Sequence, residues 1–469
     1  MKICFKRTNF GAAVLASVLC LIIQLCILGC RHGGELHFDS LFFFMHYLDD
    51  RSLLQKIFDP ARNDWGFYQA RELSYFFDWI DTHFVAFLLK KHIVWFHSIC
   101  SLLLCGGMVF IQHYFTRKFF PKIPGMLVTL FSVFFVLSEA VTGLDYFRCA
   151  KYLTAFGLWG ALFAAWGTFR YGDKKSKAAL CASLLLMTLS DRQGFFFTAA
   201  FAGSAAVLMF YFNWKHTLLS ACRMGFPVFA AFGMTCFGIL NNLFITPALV
   251  RLFNGYTPDF SYQRDFSIST ASVGQGGLFF FGNAGNWFSS FTGDIRIAAV
   301  TGGLLCAGLL LFFCVRHRKG ERRVLPLGLL WGCCIGMMIL CASAMVARHS
   351  LIMLPDVVYG TYGINFFSLV LFLLTLTAAS GNKNFCRIVL VLVAAGIVLR
   401  LGGEYCGDRF APEESSFSGY NSRQSILKET LRDPRFDEKK ILYASQNGTL
   451  FAVLQKKYLD KTLIVLYIM

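Results

Sequence analysis

The chain has 469 residues, 56% of them hydrophobic and only 15% charged, with a mean hydropathy of +0.56. Soluble domains carry roughly a quarter charged residues, so a string of soluble domains is excluded in favour of one membrane domain. The net charge of +17 does not make nucleic acid a partner, because no basic helix or stacking platform accompanies it and basic residues in a membrane chain hold topology.

Crossing the hydrocarbon core takes about 20 apolar residues in a helix. Runs of that kind predict about eleven spans, near 11–30, 94–114, 123–138, 149–169, 178–190, 195–212, 226–249, 297–315, 325–346, 361–380 and 386–401. The fold class expected is an all-α polytopic bundle over 1–401 with a small tail at 402–469. The first run also has the basic start and apolar core of a signal peptide; an uncleaved first helix is the preferred reading.

Lys and Arg alternate with the spans. They occur at Lys2, Lys6 and Arg7; at Arg117, Lys118 and Lys122; at Arg170, Lys174, Lys175 and Lys177; at Lys215 and Arg223; at Arg316, Arg318, Lys319, Arg322 and Arg323; and at Lys383 and Arg387. The positive-inside rule puts all these segments in the cytoplasm. The other side then receives a first outer loop at 31–93, a second at 250–296, and the tail, with strand-like runs at 440–443 and 462–468. Most of the 17 cysteines sit in apolar runs without CxxC spacing, as small hydrophobes do; Cys30 and Cys406 are a candidate outward disulfide. Asn447-Gly448-Thr449 fits a glycosylation acceptor in a host that uses one.

The first outer loop opens with Glu35, His37 and Asp39, a set that could hold a divalent ion, although its spacing is not diagnostic. An amphipathic helix is expected over 40–58, carrying Asp49 and Asp50, and a second from about Arg71 to Lys90. A carboxylate here could take a proton from an acceptor hydroxyl or orient it, and Asp39, Asp49 and Asp50 are the candidates. Ionisable groups also stand at span ends on the same side: Glu139, Asp145 and Arg148; Asp191 and Arg192; Arg348, His349 and Asp356. Charges at that depth are paired or line a wet cavity. Arg grips phosphate through paired hydrogen bonds, so Arg71, Arg148, Arg192, Arg264 and Arg348 are candidate phosphate ligands, with Glu139 and His349 beside them. The second loop adds Gly274–Gly277 and Gly282–Trp287, a composition that suits sugar contact and equally suits any ordered loop.

These residues resemble a family. The stretch from Arg71 through Leu73-Ser74-Tyr75 to Asp78 and Asp81 is similar to the R-P-L-S-Y…D element of GT-C glycosyltransferases, with Glu72 in place of proline. Ser138-Glu139-Ala140-Val141 with Arg148 resembles a T-E-A-V…R element, and Leu189-Ser190-Asp191-Arg192 an L-S-K-E element. Ala347-Arg348-His349 with Leu354-Pro355 resembles E-R-Y…L-P. The nearest likeness, over roughly residues 10–360, is to bacterial relatives of the transmembrane O-mannosyltransferases. It implies a GT-C fold in the bacterial inner membrane and a polyprenyl-phosphate sugar donor. It also implies a catalytic acid shortly after the first span, which points to Asp39. The acceptor class stays open among glycan, lipid and protein. A flippase or transporter, a glycan polymerase or ligase, and a non-catalytic scaffold are the competing readings; inverted repeats and broken helices, the marks of transporters, are not evident.

Overall fold

Long apolar runs must satisfy their backbone groups internally, and helices are the local way to do so. The computed structural model describes residues 7–30, 46–62, 70–91, 93, 95, 97–121, 123–137, 149–213, 218–257, 269–285, 383–406, 439–444, 450–454 and 462–466, with a few single positions between 300 and 368. In chain order the helices are α1 (Arg7–Cys30), α2 (Leu53–Phe58), α3 (Glu72–Lys90), α4 (Ile99–Phe119), α5 (Gly125–Val136), α6 (Cys149–Tyr171), α7 (Lys174–Ser190), α8 (Arg192–Asn213), α9 (Leu218–Leu240), a π-helical turn (Asn241–Ile245), α10 (Thr246–Asn254), α11 (Thr270–Gly285) and α12 (Lys383–Cys406). The expected spans at 297–315, 325–346 and 361–380 lie outside the described residues apart from those single positions.

Among the described residues, three stretches are long and apolar enough to cross a membrane, Asn9–Cys26, Ile99–Phe119 and Gly225–Asn254; Gly125–Val136 and Cys386–Val398 are shorter apolar helices. The helices differ in where their apolar surface goes. Those of α1 and α9 face outward, with Leu15 70% and Phe229 71% exposed. In water such a surface would drive aggregation; against lipid it is at home. The helices α6–α8 turn theirs inward. Trp159, Phe163, Met187 and Phe197 are fully buried, and Trp159 and Phe115 stack on Phe163 at 5.5 and 5.6 Å.

Close helix approach uses small residues, as in other membrane bundles. Gly157 and Gly160 of α6 meet Met187 and Ser183 of α7, and Gly194 of α8 lies against the backbone of Met187. Gly194→Ala would press a methyl into the Met187 carbonyl. It should destabilise the chain by about 1–3 kcal/mol, read as a lower unfolding midpoint in detergent. Gly233→Ala, on α9 with nothing within 4 Å of a Cβ, is the control and should be neutral or slightly stabilising.

The two ends of this bundle differ in charge. At one end Arg117 donates to the Ile123 carbonyl, Phe119 stacks on Tyr171, and the Lys177 ammonium lies 5.0 Å from the Phe226 ring. The C-termini of α4 and α6 and the N-terminus of α7 therefore meet there, among basic residues. At the other end the N-termini of α4, α6 and α8 and the C-terminus of α7 gather under α3. That alternation is what the Lys and Arg spacing predicted for these helices.

Of the helix expected over 40–58, residues 40–45 lie outside the described residues, His46 and Tyr47 are helical, and a turn at 48–52 separates them from α2. Ser52 and Gln55 start it with a reciprocal capping box. Arg51 folds the preceding turn by donating to the carbonyls of Asp59 and Pro60. Gln55 Nε2 donates to the Phe253 carbonyl, and Phe58 stacks on Phe253 at 5.4 Å, so α2 lies on α10. The tail carries a three-stranded sheet. Strands β1 (Lys439–Ala444), β2 (Leu450–Leu454) and β3 (Thr462–Leu466) pair in the order β2-β1-β3, antiparallel then parallel. Strands β1 and β3 are the two strand-like runs of the sequence.

Candidate functional site: a buried charge network under α3

Helix α3 buries a polar stripe. Arg71, Ser74, Tyr75, Asp78, Asp81, Thr82 and Val85 recur at helical spacing, which puts them on one face. Ser74, Asp78, Asp81 and Thr82 are at most 3% exposed, whereas Phe87 on the other side is 55% exposed. Burying carboxylates costs several kcal/mol each unless partners compensate, so the partners of this stripe define the site.

Asp81 works on α4. One of its oxygens accepts from the Ser98 hydroxyl, and the other accepts from the Cys100 N–H at 2.9 Å. Ser98 is itself the N-cap of α4, accepting from the Ser101 N–H. The carboxylate thus meets the positive end of a helix and its otherwise orphaned donors. Burial nevertheless outweighs these bonds and pushes the Asp81 carboxyl up to about 6. Asp78 is one helical turn away. Burial, and then the charge of Asp81, push its carboxyl well above the ordinary range against the pull of Arg71 and Ser74. Ser74 donates to Asp78 Oδ2 at 3.4 Å, while Asp78 Oδ1 has no hydrogen-bond partner among the described residues.

Arg71 precedes α3 and its carbonyl accepts the Tyr75 N–H. Its guanidinium carbon lies 5.0 Å from the Tyr75 ring centre. Burial opposes its charge, but Tyr75, Asp191 and Asp78 outweigh that and raise its pKa further, so it stays a cation. Arg71 Nε is buried without a hydrogen-bond partner among the described residues. Asp191 sits at the corner between α7 and α8, where its carbonyl accepts the Phe195 N–H, and its carboxylate pairs with Lys151 in the first turn of α6. Both side chains are largely buried, at 13% and 7% exposure. Glu72 ties the start of α3 to the π-helical turn by accepting from Thr246 Oγ1 and Asn241 Nδ2; burial raises its carboxyl.

Of the residues expected at the site, the structure gathers Arg71 and Asp191, with Arg192 half-buried as the next residue. Asp49 is engaged within its own loop, pairing with Arg51 at 2.6 Å and Lys56 at 3.7 Å, and Asp50 is exposed beside it. Asp39, Glu139, Arg148, Arg264, Arg348 and His349 lie outside the described residues, as do Glu35, His37 and Asn447; so do the side chains of Cys30 and Cys406. Lys151 and the inward aim of Asp78 and Asp81 escaped the sequence reading. The available signals were a lysine in the first turn of an apolar run and two carboxylates three residues apart in an aromatic helix.

Comparison with models of known protein families finds no match for this chain, and comparison with curated proteins finds none either.

Proposed function

We propose that this chain is a multi-pass glycosyltransferase of the GT-C type, with about eleven spans in a bacterial inner membrane. It would move a sugar from a polyprenyl-phosphate donor to a glycan, lipid or protein acceptor on the non-cytoplasmic side. One observation carries the reading: two separate stretches that resemble the family, Arg71–Asp81 and Leu189–Arg192, meet in one buried network. They meet at the end of the bundle opposite the basic residues, the end that the positive-inside rule turns outward.

In this reading Arg71, with an unused Nε donor, takes the donor phosphate at headgroup level. Arg192, Arg148, Arg264, Arg348, His349 and Glu139 would be the further ligands of the donor. The acceptor oxygen forms a bond to the anomeric carbon as the bond from that carbon to the phosphate oxygen breaks. The proton goes to Asp39, with Asp49 and Asp50 as alternatives, and the electron pair leaves with polyprenyl phosphate. The phosphate gains negative charge in that step, so a fixed guanidinium stabilises the transition state more than the bound donor. Direct displacement inverts the anomeric centre. Asp49 is the weaker base candidate, since Arg51 and Lys56 already hold it.

The test is sugar transfer from a polyprenyl-phosphate sugar in membranes. Arg71→Lys keeps the charge but loses the planar fork, and Arg71→Ala loses both. Transfer should fall by about 10²–10³ in Arg71→Ala and less in Arg71→Lys, with both proteins still inserted. Asp39→Asn should abolish it. Full transfer in Arg71→Ala, or in each of the single Asn variants at Asp39, Asp49 and Asp50, would refute the mechanism. Lipid-linked sugar moved across the membrane without bond exchange would make the protein a flippase, and a lengthening glycan product would make it a polymerase.

A further inference from the structure

The network contains a second grouping that sugar transfer does not use. Asp78 and Asp81 on α3 and Cys149 at the start of α6 are all buried, and one ligand atom from each lies within 4.8 Å of the other two. Cys100 packs in the same cluster as Cys149. Two carboxylates and a thiol form a donor set of borderline softness, suited to a zinc-class ion and unsuited to magnesium or calcium, which take oxygen ligands. Tetrahedral bonds of about 2.0 Å to oxygen and 2.3 Å to sulfur put ligand atoms about 3.3–3.5 Å apart, so the separations between ligand atoms need to close by at most about 1.5 Å.

An independent feature points to a cation there. Asp78 is 3% exposed, and its Oδ1 finds no hydrogen-bond donor among the described residues. A buried acceptor left unpaired in a native fold calls for an explanation, and an ion is one of the standard answers. The neighbours are arranged as outer partners of a metal site: Ser74 donates to the other oxygen of Asp78, and Ser98 and the Cys100 N–H orient Asp81. Such bonds fix ligand geometry.

We infer that Asp78, Asp81 and Cys149 form a structural site for a zinc-class divalent ion that ties α3 to the start of α6. The ion holds the helices that carry Arg71 and Lys151; it is not a reactant.

The experiment uses the full chain, purified in detergent from cells supplied with zinc. Metal analysis should find about one zinc per chain, and Cys149→Ser and Asp78→Asn should each lower occupancy at least tenfold. Because either variant could fail to fold, the wild-type chain is also stripped and reloaded with cobalt(II), which should give the intense thiolate-to-cobalt charge-transfer band. Zinc at wild-type level in folded Cys149→Ser, no zinc in the wild type, or cobalt bound without the thiolate band would each overturn the site. Metal content is read without any transfer assay, so this result stands apart from the fate of the sugar-transfer reading.

Discussion

Lys151→Met should destabilise the chain by about 3 kcal/mol, at the lower end of the cost of breaking a buried ion pair. The loss falls on Asp191, which is buried at a helix corner and loses its direct partner. Arg71 still acts on Asp191, which is why the upper end of that range is not expected. Asp191→Asn should cost less, since the amide keeps the shape and still offers Lys151 an acceptor oxygen. The double variant Lys151→Met/Asp191→Leu removes both charges and fills the space with apolar atoms. It should recover most of the stability lost in Lys151→Met, because replacing a buried pair by hydrophobic groups is often neutral. Arg71 then loses one counterion and draws on Asp78 in its place. The measurement is a double-mutant cycle on unfolding midpoints in detergent. Strictly additive effects would mean that the pair is not an energetic unit.

The legible part of this protein is its helices. The expected helix from Arg71 to Lys90 coincides with α3, and the alternation of Lys and Arg matches the directions of α4, α6 and α7 relative to one another. Boundaries moved where side chains intervene. The run read at 94–114 begins as a helix only at Ile99, because Ser98 and Asp81 cap it there. The run read at 226–249 continues to Asn254, because a π-helical turn carries the backbone past Asn241 and Glu72 accepts from that turn. What could not be read was which carboxylate meets which cation. Asp78 and Asp81 look like charges on a surface helix when only hydrophobic periodicity is available. Their burial depends on α4 and α6 arriving beneath them, and that is a long-range packing outcome with no local signature. Asp49 shows the reverse case. It resembles a free carboxylate in sequence, yet its loop gives it two cations.

Asp81→Ala should carry a comparable penalty for a different reason. The carboxylate accepts from Ser98 and Cys100 at the start of α4, so its removal strands the buried Cys100 N–H. Loss of a cap costs about 0.5–2 kcal/mol, and stranding a buried donor adds about 1–3 kcal/mol. About 2–4 kcal/mol in total is expected. Asp81→Asn keeps one acceptor oxygen but turns an amide N–H₂ toward a donor, and it should lie between Ala and the wild type. Hydrogen exchange separates this from general unfolding: in Asp81→Ala the amides of Ile99–Leu102 should lose protection before those in the middle of α4. Unchanged protection at Ile99–Leu102 would remove Asp81 from the capping role. Repeating the measurement on chelator-treated protein divides the penalty, because the cap acts whether or not an ion is bound, whereas any part due to metal binding disappears with the metal. A carboxylate placed this way joins the first turn of α4 to the helix that carries Arg71. The firmness of the candidate phosphate site therefore depends on a residue that need never touch the donor.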